Sequence, residues 1–526
     1  MKIKRLFVPV YKNVTVNLML QADQITLLVG QNGMGKSNLL EVLLLIFDDL
    51  YQLKTKGKNA EKLPFHYEME YECNGRIFVI NKKTERYNIS EIPTRVGNPE
   101  DNHVDIKDLE LPNQIIGYYS GENKRIRTLV EKHIKSEERS KRIRYSKGNE
   151  EGLRPRKLFF AENRHSMLVL TTLLLYKNHH VYGENIRKVL HDIVQVENWD
   201  SIHLRFRDPK FSRTSNRRRE GLTLANYRDM FLQGDNLDDN DIFWGIRGSV
   251  DRLLRLLLLY SIVKGFNYDI NTDKKGKREY FDIESIPSDD QFAGQLFEAF
   301  PTPMDFLNTL EECFTLNIVE QFDIILHKHG ERERYPYLHL SEGEQQYLLV
   351  MGLIALSHSS QDETLFLLDE PDTHINPQWQ RSYIDQIKKL CGTEEDKRSK
   401  AFFISTHSPL LVQAYNPQQV NMLLFKKRDD GMIEISMEDY SIKNWRIDQV
   451  LLSDYFALPS ARSSELDDFM KRRLKIIRGQ GTAEDKEYVE QKADKYGYLP
   501  TGETIDEIDA LRYIHAEANS LKEGKR

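Results

Sequence analysis

Apolar and polar residues alternate in short bursts along the first part of the chain, which favours strands over long helices. Residues 24–29 form a continuous apolar run, which predicts a strand buried on both faces of a parallel or mixed sheet. A glycine-rich turn follows, and residues 37–50 have the apolar periodicity of a helix. Alternation in residues 65–71, the dipeptide Asn74-Gly75 and a second β-rich run predict an antiparallel hairpin.

The pattern changes near residue 122, where helical periodicity takes over. Apolar strand patterns then return after residue 335, and the last 80 or so residues are mostly charged helix. The chain therefore predicts an α/β fold in four segments: an N-terminal lobe, a large and mainly α-helical insertion, a C-terminal lobe and an α-helical tail, covering residues 1–121, 122–335, 336–440 and 441–526.

Composition narrows the class of protein. The 526 residues are 40% hydrophobic with a formal net charge of −6, so a folded core is expected and a uniformly basic nucleic-acid coat protein is excluded. No apolar run reaches the roughly 18 residues of a membrane span. The three cysteines are far apart and odd in number, which argues against a disulfide framework and predicts a cytoplasmic protein.

A phosphate-binding pattern follows the first buried strand. Residues 30–37 match G-x-x-x-x-G-K-[ST], placed between a strand and a helix. The glycines allow successive backbone N–H groups to point at phosphate oxygens, Lys36 would reach the β- and γ-phosphates, and Ser37 would ligate Mg²⁺. The alternative, an ordinary glycine-rich turn before a helix, does not need the lysine and the serine. The expected ATP-binding residues are Gly30, Gln31, Asn32, Gly33, Met34, Gly35, Lys36, Ser37 and Asn38.

Two later apolar strands end in polar residues. Residues 364–368 lead into Asp369 and Glu370, which predicts Asp369 as a second magnesium ligand and Glu370 as the general base for an attacking water. Residues 402–406 lead into His407, which we expect to contact the γ-phosphate. Each of these patterns taken alone also fits a structural strand end, and their order after the phosphate-binding pattern favours catalysis.

A signature sequence lies between these motifs. Residues 340–346, Leu-Ser-Glu-Gly-Glu-Gln-Gln, precede an apolar helix and resemble the L-S-G-G-Q motif of ABC-type ATPases. The order of motifs resembles the SMC, RecF and OLD group, which implies an ABC-type ATPase head with the glycine-rich loop in the N-lobe and the signature, acidic strand and histidine in the C-lobe. Asp372 and Asn376 depart from that group's D-E-P-E-x-H-L-H-P run, and no glutamine is in register after residues 114–119.

The resemblance implies a site shared between two copies of the chain. Ser341, Glu342, Gly343 and Glu344 would cap the γ-phosphate bound by a second copy, so hydrolysis would require a homodimer of heads or a higher homo-oligomer. Glu344 replaces the motif's glutamine, and we therefore expect slow turnover. The alternative is a surface helix capped by Ser341 and Glu344 alone.

The insertion and the tail bear on partners. The insertion has no sustained heptads, which excludes long coiled-coil arms, and residues 421–431 lack the acidic pattern of the nuclease domain that OLD proteins carry. An OLD-like ATPase without a nuclease resembles the PtuA family of Septu-type and retron-associated anti-phage systems. That resemblance implies a separate, PtuB-like HNH nuclease as partner and, in some members, a reverse transcriptase with its RNA–DNA hybrid.

Two other functions stay open from the sequence. The basic stretches at residues 139–144, 154–157 and 205–219 have interleaved aromatics, and they fit either contact with DNA or RNA phosphates or a solvated surface. A DNA-repair ATPase of the RecF or SMC type that binds DNA is the first alternative. A scaffold module in which ATP is structural is the second.

Overall fold

A computed structural model describes the chain except for residues 22–23, 57–62, 84–85, 93–102, 121–127, 130, 132–134, 137–138, 140–156, 210–222, 234–241, 270–277, 329–332, 358–362, 392–398, 439–440, 443, 459–462, 497–509, 511–512 and 515–526. The strands of the described part are β1 (Lys2–Tyr11), β2 (Val14–Met19), β3 (Ile25–Val29), β4 (Tyr67–Cys73), β5 (Arg76–Lys83), β6 (Arg86–Ile92), β7 (Gln114–Tyr119), β8 (Leu158–Ala161), β9 (Val196–Arg207), β10 (Ile262–Asp269), β11 (Arg278–Ser285), β12 (Val319–Lys328), β13 (Tyr335–Pro336), β14 (Thr364–Asp369), β15 (Lys400–Thr406), β16 (Val420–Lys427) and β17 (Ile433–Glu438).

The helices of the same part are α1 (Lys36–Lys56), α2 (Asn163–Tyr176), α3 (Gly183–Val189), α4 (Leu224–Leu232), α5 (Gly248–Tyr260), α6 (Asp290–Ala299), α7 (Pro303–Thr315), α8 (Glu342–Leu356), α9 (Pro377–Leu390), α10 (Pro409–Gln413), α11 (Ile447–Leu452), α12 (Asp467–Ile477) and α13 (Ala483–Tyr496). A π-helical turn, Leu190–Val194, follows α3, and 3₁₀ turns lie at Tyr337–His339 and Ser464–Leu466. Within the described part of the chain, every helix is too short or too polar to cross a bilayer.

A twelve-stranded mixed sheet positions the candidate site. Its order is β6-β5-β4-β1-β2-β17-β16-β3-β15-β14-β7-β8, with β3 parallel to both β15 and β16, and β14 parallel to both β15 and β7. Every residue of β3, β14 and β15 is buried, as expected for central parallel strands covered on both faces. The α/β fold class predicted from the sequence is therefore confirmed.

The hairpins between antiparallel strands of this sheet depend on the residues in their turns. Asn74 and Gly75 join β4 to β5 with φ values of +50° and +74°, which is the left-handed pair that a two-residue hairpin requires. Gly431, with φ +83°, lies in the turn between β16 and β17. The sequence Asp429-Asp430-Gly431 thus lies in a hairpin turn.

The insertion, predicted to be mainly helical, also contains a second sheet that its helical periodicity did not predict. Its order is β10-β11-β9-β12-β13, and β9 alternates buried and less buried residues along its length. One face of β9 places Ile202, Leu204 and Phe206 in the main hydrophobic core, so the sheet has one buried face and one face toward solvent. Helices α4 to α7 accompany it, and the four segment boundaries stay a prediction.

Two elements of the predicted insertion lie in or against the large sheet's layers. β8 pairs in parallel with β7, and α2 packs on α8 so closely that a Cβ on Gly352 would lie 2.3 Å from Val169 Cγ1. The chain therefore returns to the head layer before it enters the second sheet.

The basic stretches are only partly described. Arg205 pairs with Asp282 at 2.8 Å, Arg207 Nη2 donates to Asn317 Oδ1 at 3.0 Å, and Phe206 is fully buried. These three side chains therefore have partners within the fold, and contact with nucleic acid stays a prediction. Residues 210–219 of that stretch and most of the other two stretches lie outside the described residues.

Candidate functional site

The glycine-rich loop lies at the carboxyl end of β3, where it turns into α1. Gly33 and Gly35 have φ values of +78° and +79°, in the left-handed region that favours glycine. A Cβ at Gly35 would lie 2.5 Å from Val14 Cγ2, so the first residue of β2 leaves no room for a larger residue there. The loop's conformation and its packing both depend on glycine.

Lys36 is folded back onto the loop. Its Nζ donates to the carbonyl oxygens of Gly30 at 2.8 Å and Gln31 at 3.3 Å, and it lies 2.7 Å from His407 Nε2. Burial lowers the pKa of Lys36 to about 8, although the nearby carboxylates of Glu370 and Asp369 act in the opposite direction. A buried ammonium with only partial charge compensation is suited to bind an anion such as phosphate.

The other loop residues that were predicted to bind ATP differ in their surroundings. Gln31 and Asn32 are exposed, and Met34 packs against the hydrophobic core. Asn38 is buried, and its side-chain amide donates to Asn13 Oδ1 at 3.0 Å. The Asn38 side chain thus fastens α1 to the β1–β2 turn.

Asp369 ends β14 with its carboxylate buried beside the loop. Ser405 Oγ donates to Oδ1, while Oδ2 has no hydrogen-bond partner among the described residues. Burial raises the pKa of Asp369, and hydrogen bonding by the Ser405 and Ser37 hydroxyls acts against that rise. An unsatisfied carboxylate oxygen near a serine hydroxyl is a donor set that fits Mg²⁺, which takes one or two protein oxygens together with substrate phosphates.

Glu370 projects from the next position in an unusual backbone conformation. Its φ is +53°, and its N–H donates to the Ser405 carbonyl at 3.2 Å and the Ser405 hydroxyl at 3.0 Å. The carboxylate lies 3.2 Å from His407 Nε2, and this hydrogen bond is the main cause of a lowered pKa at Glu370. Glu370 is therefore ionised at neutral pH, as a general base must be.

His407 connects the lysine and the glutamate through one ring nitrogen. Nε2 lies within hydrogen-bond distance of both Lys36 Nζ and Glu370 Oε1. One imidazole nitrogen either accepts or donates, so it cannot accept from Lys36 and donate to Glu370 together. The two contacts therefore compete. A ligand that binds Lys36 and moves it away from His407 would leave His407 Nε2 free to donate to Glu370.

The signature residues begin α8 with a capping box. Glu344 N–H donates to Ser341 Oγ at 3.2 Å, and Ser341 N–H donates to Glu344 Oε2 at 2.7 Å. Gly343 is buried, and a Cβ there would lie 2.4 Å from the His374 carbonyl oxygen. Ser341 and Glu342 are exposed, and in the described part of the chain no hydrogen bond or ion pair joins residues 341–344 to residues 30–37.

Several contributors to the site were not predicted. Ser405 supports both acidic residues, Thr406 Oγ1 donates to Asp372 Oδ2 at 2.7 Å, and Ser120 N–H donates to the Asp369 carbonyl at 3.2 Å. The sequence signal that could have identified these residues is the presence of polar side chains at the ends of otherwise apolar strands. A fifth contact, from Gln31 Nε2 to the Phe456 carbonyl at 3.5 Å, joins the loop to the C-terminal region and has no sequence signal.

Comparison with known proteins agrees with this chemistry. Residues 175–413 match the family model described as "AAA domain, putative AbiEii toxin, Type IV TA system". The match covers 239 of the 526 residues, so just under half of the chain is similar to this family. This similarity supports the ATPase activity predicted from the motifs.

A curated relative and two solved structures add similarity of limited extent. The Septu protein PtuA of Bacillus thuringiensis is 29% identical over 102 residues, which is 19% of this chain and 24% of PtuA, so the chain aligns with about a quarter of that relative. An SMC head bound to the C-winged helix domain of ScpA has a TM-score of 0.33 at 10% identity, covering 84% of this chain and 98% of that one. The recombination mediator RecF with ATP has a TM-score of 0.27 at 13% identity, covering 82% and 99%.

Proposed function

We propose that this ATPase domain binds ATP with Mg²⁺ and hydrolyses it in a site completed by a second copy of the chain. The observation that carries the proposal is the meeting of Lys36, Asp369, Glu370 and His407 at one edge of the large sheet. Three neighbouring strands deliver these residues, although the strands lie far apart in the sequence. Such convergence is expected at the carboxyl ends of parallel strands.

The residues have separate tasks in this proposal. Lys36 would leave the loop carbonyls and bind phosphate oxygens, and the loop's N–H groups would complete the phosphate cradle. Ser37 and Asp369 would hold Mg²⁺, which when bound supplies positive charge to the phosphates. Glu370 would accept a proton from the attacking water, and His407 would orient that carboxylate and contact the γ-phosphate.

The role of Glu370 is testable in a single turnover. Glu370→Gln should retain ATP binding but slow phosphate release by at least ~100-fold, the lower end of general-base contributions. Glu284→Gln, at an exposed position in the second sheet, is the matched control and should release phosphate at the wild-type rate. Unchanged release by the Glu370 variant would remove it as the general base.

Exposure of Ser341 and Glu342 at the start of α8 supports a site shared with a second copy. In that assembly the helix N-terminus would face the γ-phosphate held by the partner's loop. Glu344 is held by Ser341 and lies 3.7 Å from Lys328 Nζ, and a carboxylate at this place is the reason to expect slow hydrolysis.

Mixing two inactive variants tests the shared site. Lys36→Met and Ser341→Arg should each be inactive alone, because each variant destroys both sites of its own dimer. Their mixture should regain about a quarter of wild-type activity, since half of randomly formed dimers are mixed and each of those keeps one intact site. A mixture as inactive as its components would contradict the shared site.

We further propose that nucleotide state gates a partner HNH nuclease in an anti-phage complex, with a reverse transcriptase and its RNA–DNA hybrid as a further component. The support is the partial similarity to Septu PtuA and the charged tail helices α12 and α13, which pack on each other. Co-purification with an HNH protein encoded beside this chain, with cleavage that depends on ATP, would test the proposal.

The two alternatives predict different results. A DNA-repair ATPase would show DNA-stimulated hydrolysis without any nuclease partner. A scaffold with structural ATP would keep its function in Lys36→Ala. The internal pairing of Arg205 and Arg207 weakens the first alternative, because these cations were among its proposed DNA contacts.

A further inference from the structure

A closed ring of hydrogen bonds surrounds the backbone of His407. Thr406 Oγ1 donates to Asp372 Oδ2 at 2.7 Å and accepts from Ser408 N–H at 2.9 Å. Ser408 Oγ donates to Gln380 Oε1 at 2.7 Å, and Gln380 Nε2 donates to the Asp372 carbonyl at 3.0 Å. The chain of contacts thus returns to the aspartate at which it began. We call these four residues, Asp372, Gln380, Thr406 and Ser408, the hydrogen-bond ring.

The carboxylate of the hydrogen-bond ring lies in an environment that does not favour it. Asp372, Thr406 and Ser408 are buried. Asp372 Oδ1 has no hydrogen-bond partner among the described residues, and burial raises the pKa of this carboxyl. A buried carboxylate with an unsatisfied oxygen costs stability compared with an apolar side chain of similar size. Stability alone therefore does not explain an aspartate at position 372.

The hydrogen-bond ring joins the two loops that carry the histidine and the proposed general base. Thr406 is the last residue of β15, and Ser408 is the N-cap of α10, so the backbone is held on both sides of His407. Asp372 lies two residues after Glu370, in the loop that follows β14. His407 Nε2 and Glu370 Oε1 lie 3.2 Å apart across these two loops. The ring therefore controls the separation of the groups that meet in the site.

We propose that Asp372 is a positioning residue that acts through His407. The inference rests on the proposed function, in which His407 orients the carboxylate of Glu370. Asp372 holds Thr406 directly and Ser408 through the ring, and so fixes the point from which the imidazole enters the site. Because a misplacement of about 1 Å can slow a reaction ~100-fold, loss of this hold should reduce the rate of hydrolysis.

Single-turnover measurements test Asp372 directly. Asp372→Ala should slow phosphate release at least ~10-fold but change the dissociation constant for ATP less than ~3-fold, because the glycine-rich loop supplies most of the binding. Asp372→Asn should recover most of the lost rate, since the amide oxygen can still accept from Thr406 Oγ1. Asp385→Ala, at an exposed aspartate of α9, is the matched control and should release phosphate as the wild type does.

A double variant separates positioning of His407 from a general effect on the fold. His407→Ala should slow phosphate release, and adding Asp372→Ala to it should slow release less than ~2-fold further, because the ring then has no imidazole to position. A merely structural role would instead multiply the two single effects. That multiplication, or release at the wild-type rate by Asp372→Ala alone, would overturn the inference.

Thr406 provides a second test if Asp372→Ala does not fold. Thr406→Val keeps the side-chain shape without the hydroxyl and should slow release at least ~10-fold, whereas Thr406→Ser keeps the hydroxyl and should slow it less than ~3-fold. Equal rates for the two variants would contradict the inference. If Glu370→Gln slows release and the ring variants do not, Asp372 is not a positioning residue and the proposed function stands. If Glu370→Gln releases phosphate at the wild-type rate, the proposed function is wrong and this inference falls with it.

Discussion

Substitution of Lys36 by methionine should stabilise the nucleotide-free protein at neutral pH while abolishing ATP binding. Burial lowers the pKa of this lysine from 10.5 to about 8, and that value already includes attraction by the nearby carboxylates. Since one pKa unit corresponds to about 1.4 kcal/mol, the protonated lysine costs the folded state ~3 kcal/mol at pH 7. The variant also loses two hydrogen bonds to loop carbonyls, at ~1 kcal/mol each. Lys36→Met should therefore raise the free energy of unfolding by ~1 kcal/mol.

The pH dependence of this difference gives the sharper test. The cost is full below the folded-state pKa of about 8 and fades as pH rises toward the unfolded value of 10.5, because the folded state loses the proton first. At pH 10 only ~1 kcal/mol of the cost remains, so the methionine variant should then be the less stable protein by ~1 kcal/mol.

Chemical unfolding of both proteins between pH 7 and 10, without nucleotide, measures the difference. Lys107→Met, at an exposed lysine, is the control and should change the free energy of unfolding by less than ~0.5 kcal/mol at any of these pH values. A methionine variant that is less stable than wild type at pH 7, or a difference that does not change with pH, would refute the argument from burial.

Two glycine substitutions test the packing around helix α8, which the signature residues begin. Gly343→Ala should lower the free energy of unfolding by ~1–3 kcal/mol and slow phosphate release, because its Cβ would lie 2.4 Å from the His374 carbonyl oxygen. Gly352→Ala should cost ~1–3 kcal/mol through overlap with Val169, and Gly294→Ala, a helical glycine with no atoms within 4 Å of its Cβ, should instead gain ~0.5–1 kcal/mol. Equal effects at positions 352 and 294, measured by urea unfolding, would contradict this assignment of α2 to the face of α8.

Strand ends were predictable because their physical signal is local. Continuous apolar runs predicted the central strands β3, β14 and β15. The glycine-rich loop after β3 and the polar residues after the runs of β14 and β15 marked the sheet edge where the site lies. What the sequence could not give is the contact between Lys36 and His407, because it depends on strand order between segments far apart in the chain.

The second sheet was missed for two reasons. Residues 205–207 carry two arginines, which predicts a basic surface stretch, although the alternation along β9 fits a strand with one solvent-exposed face. The apolar periodicity of residues 249–264 fits a single helix, but α5 ends at Tyr260, where Ser261 N–H donates to the Leu257 carbonyl, and β10 begins at Ile262. A short apolar run fits either a helix or a strand, and pairing with β11 makes the residues from Ile262 onward a strand.

The neighbours of β3 have a consequence for how the protein is made. This strand leaves the ribosome long before the strands that flank it, β15 and β16, which begin only at Lys400 and Val420. At about 5–20 residues synthesised per second, β3 and the glycine-rich loop wait on the order of half a minute for their sheet partners. Prematurely terminated chains would therefore lack a finished phosphate cradle, and nascent β3 is the segment on which we expect chaperones to act during translation.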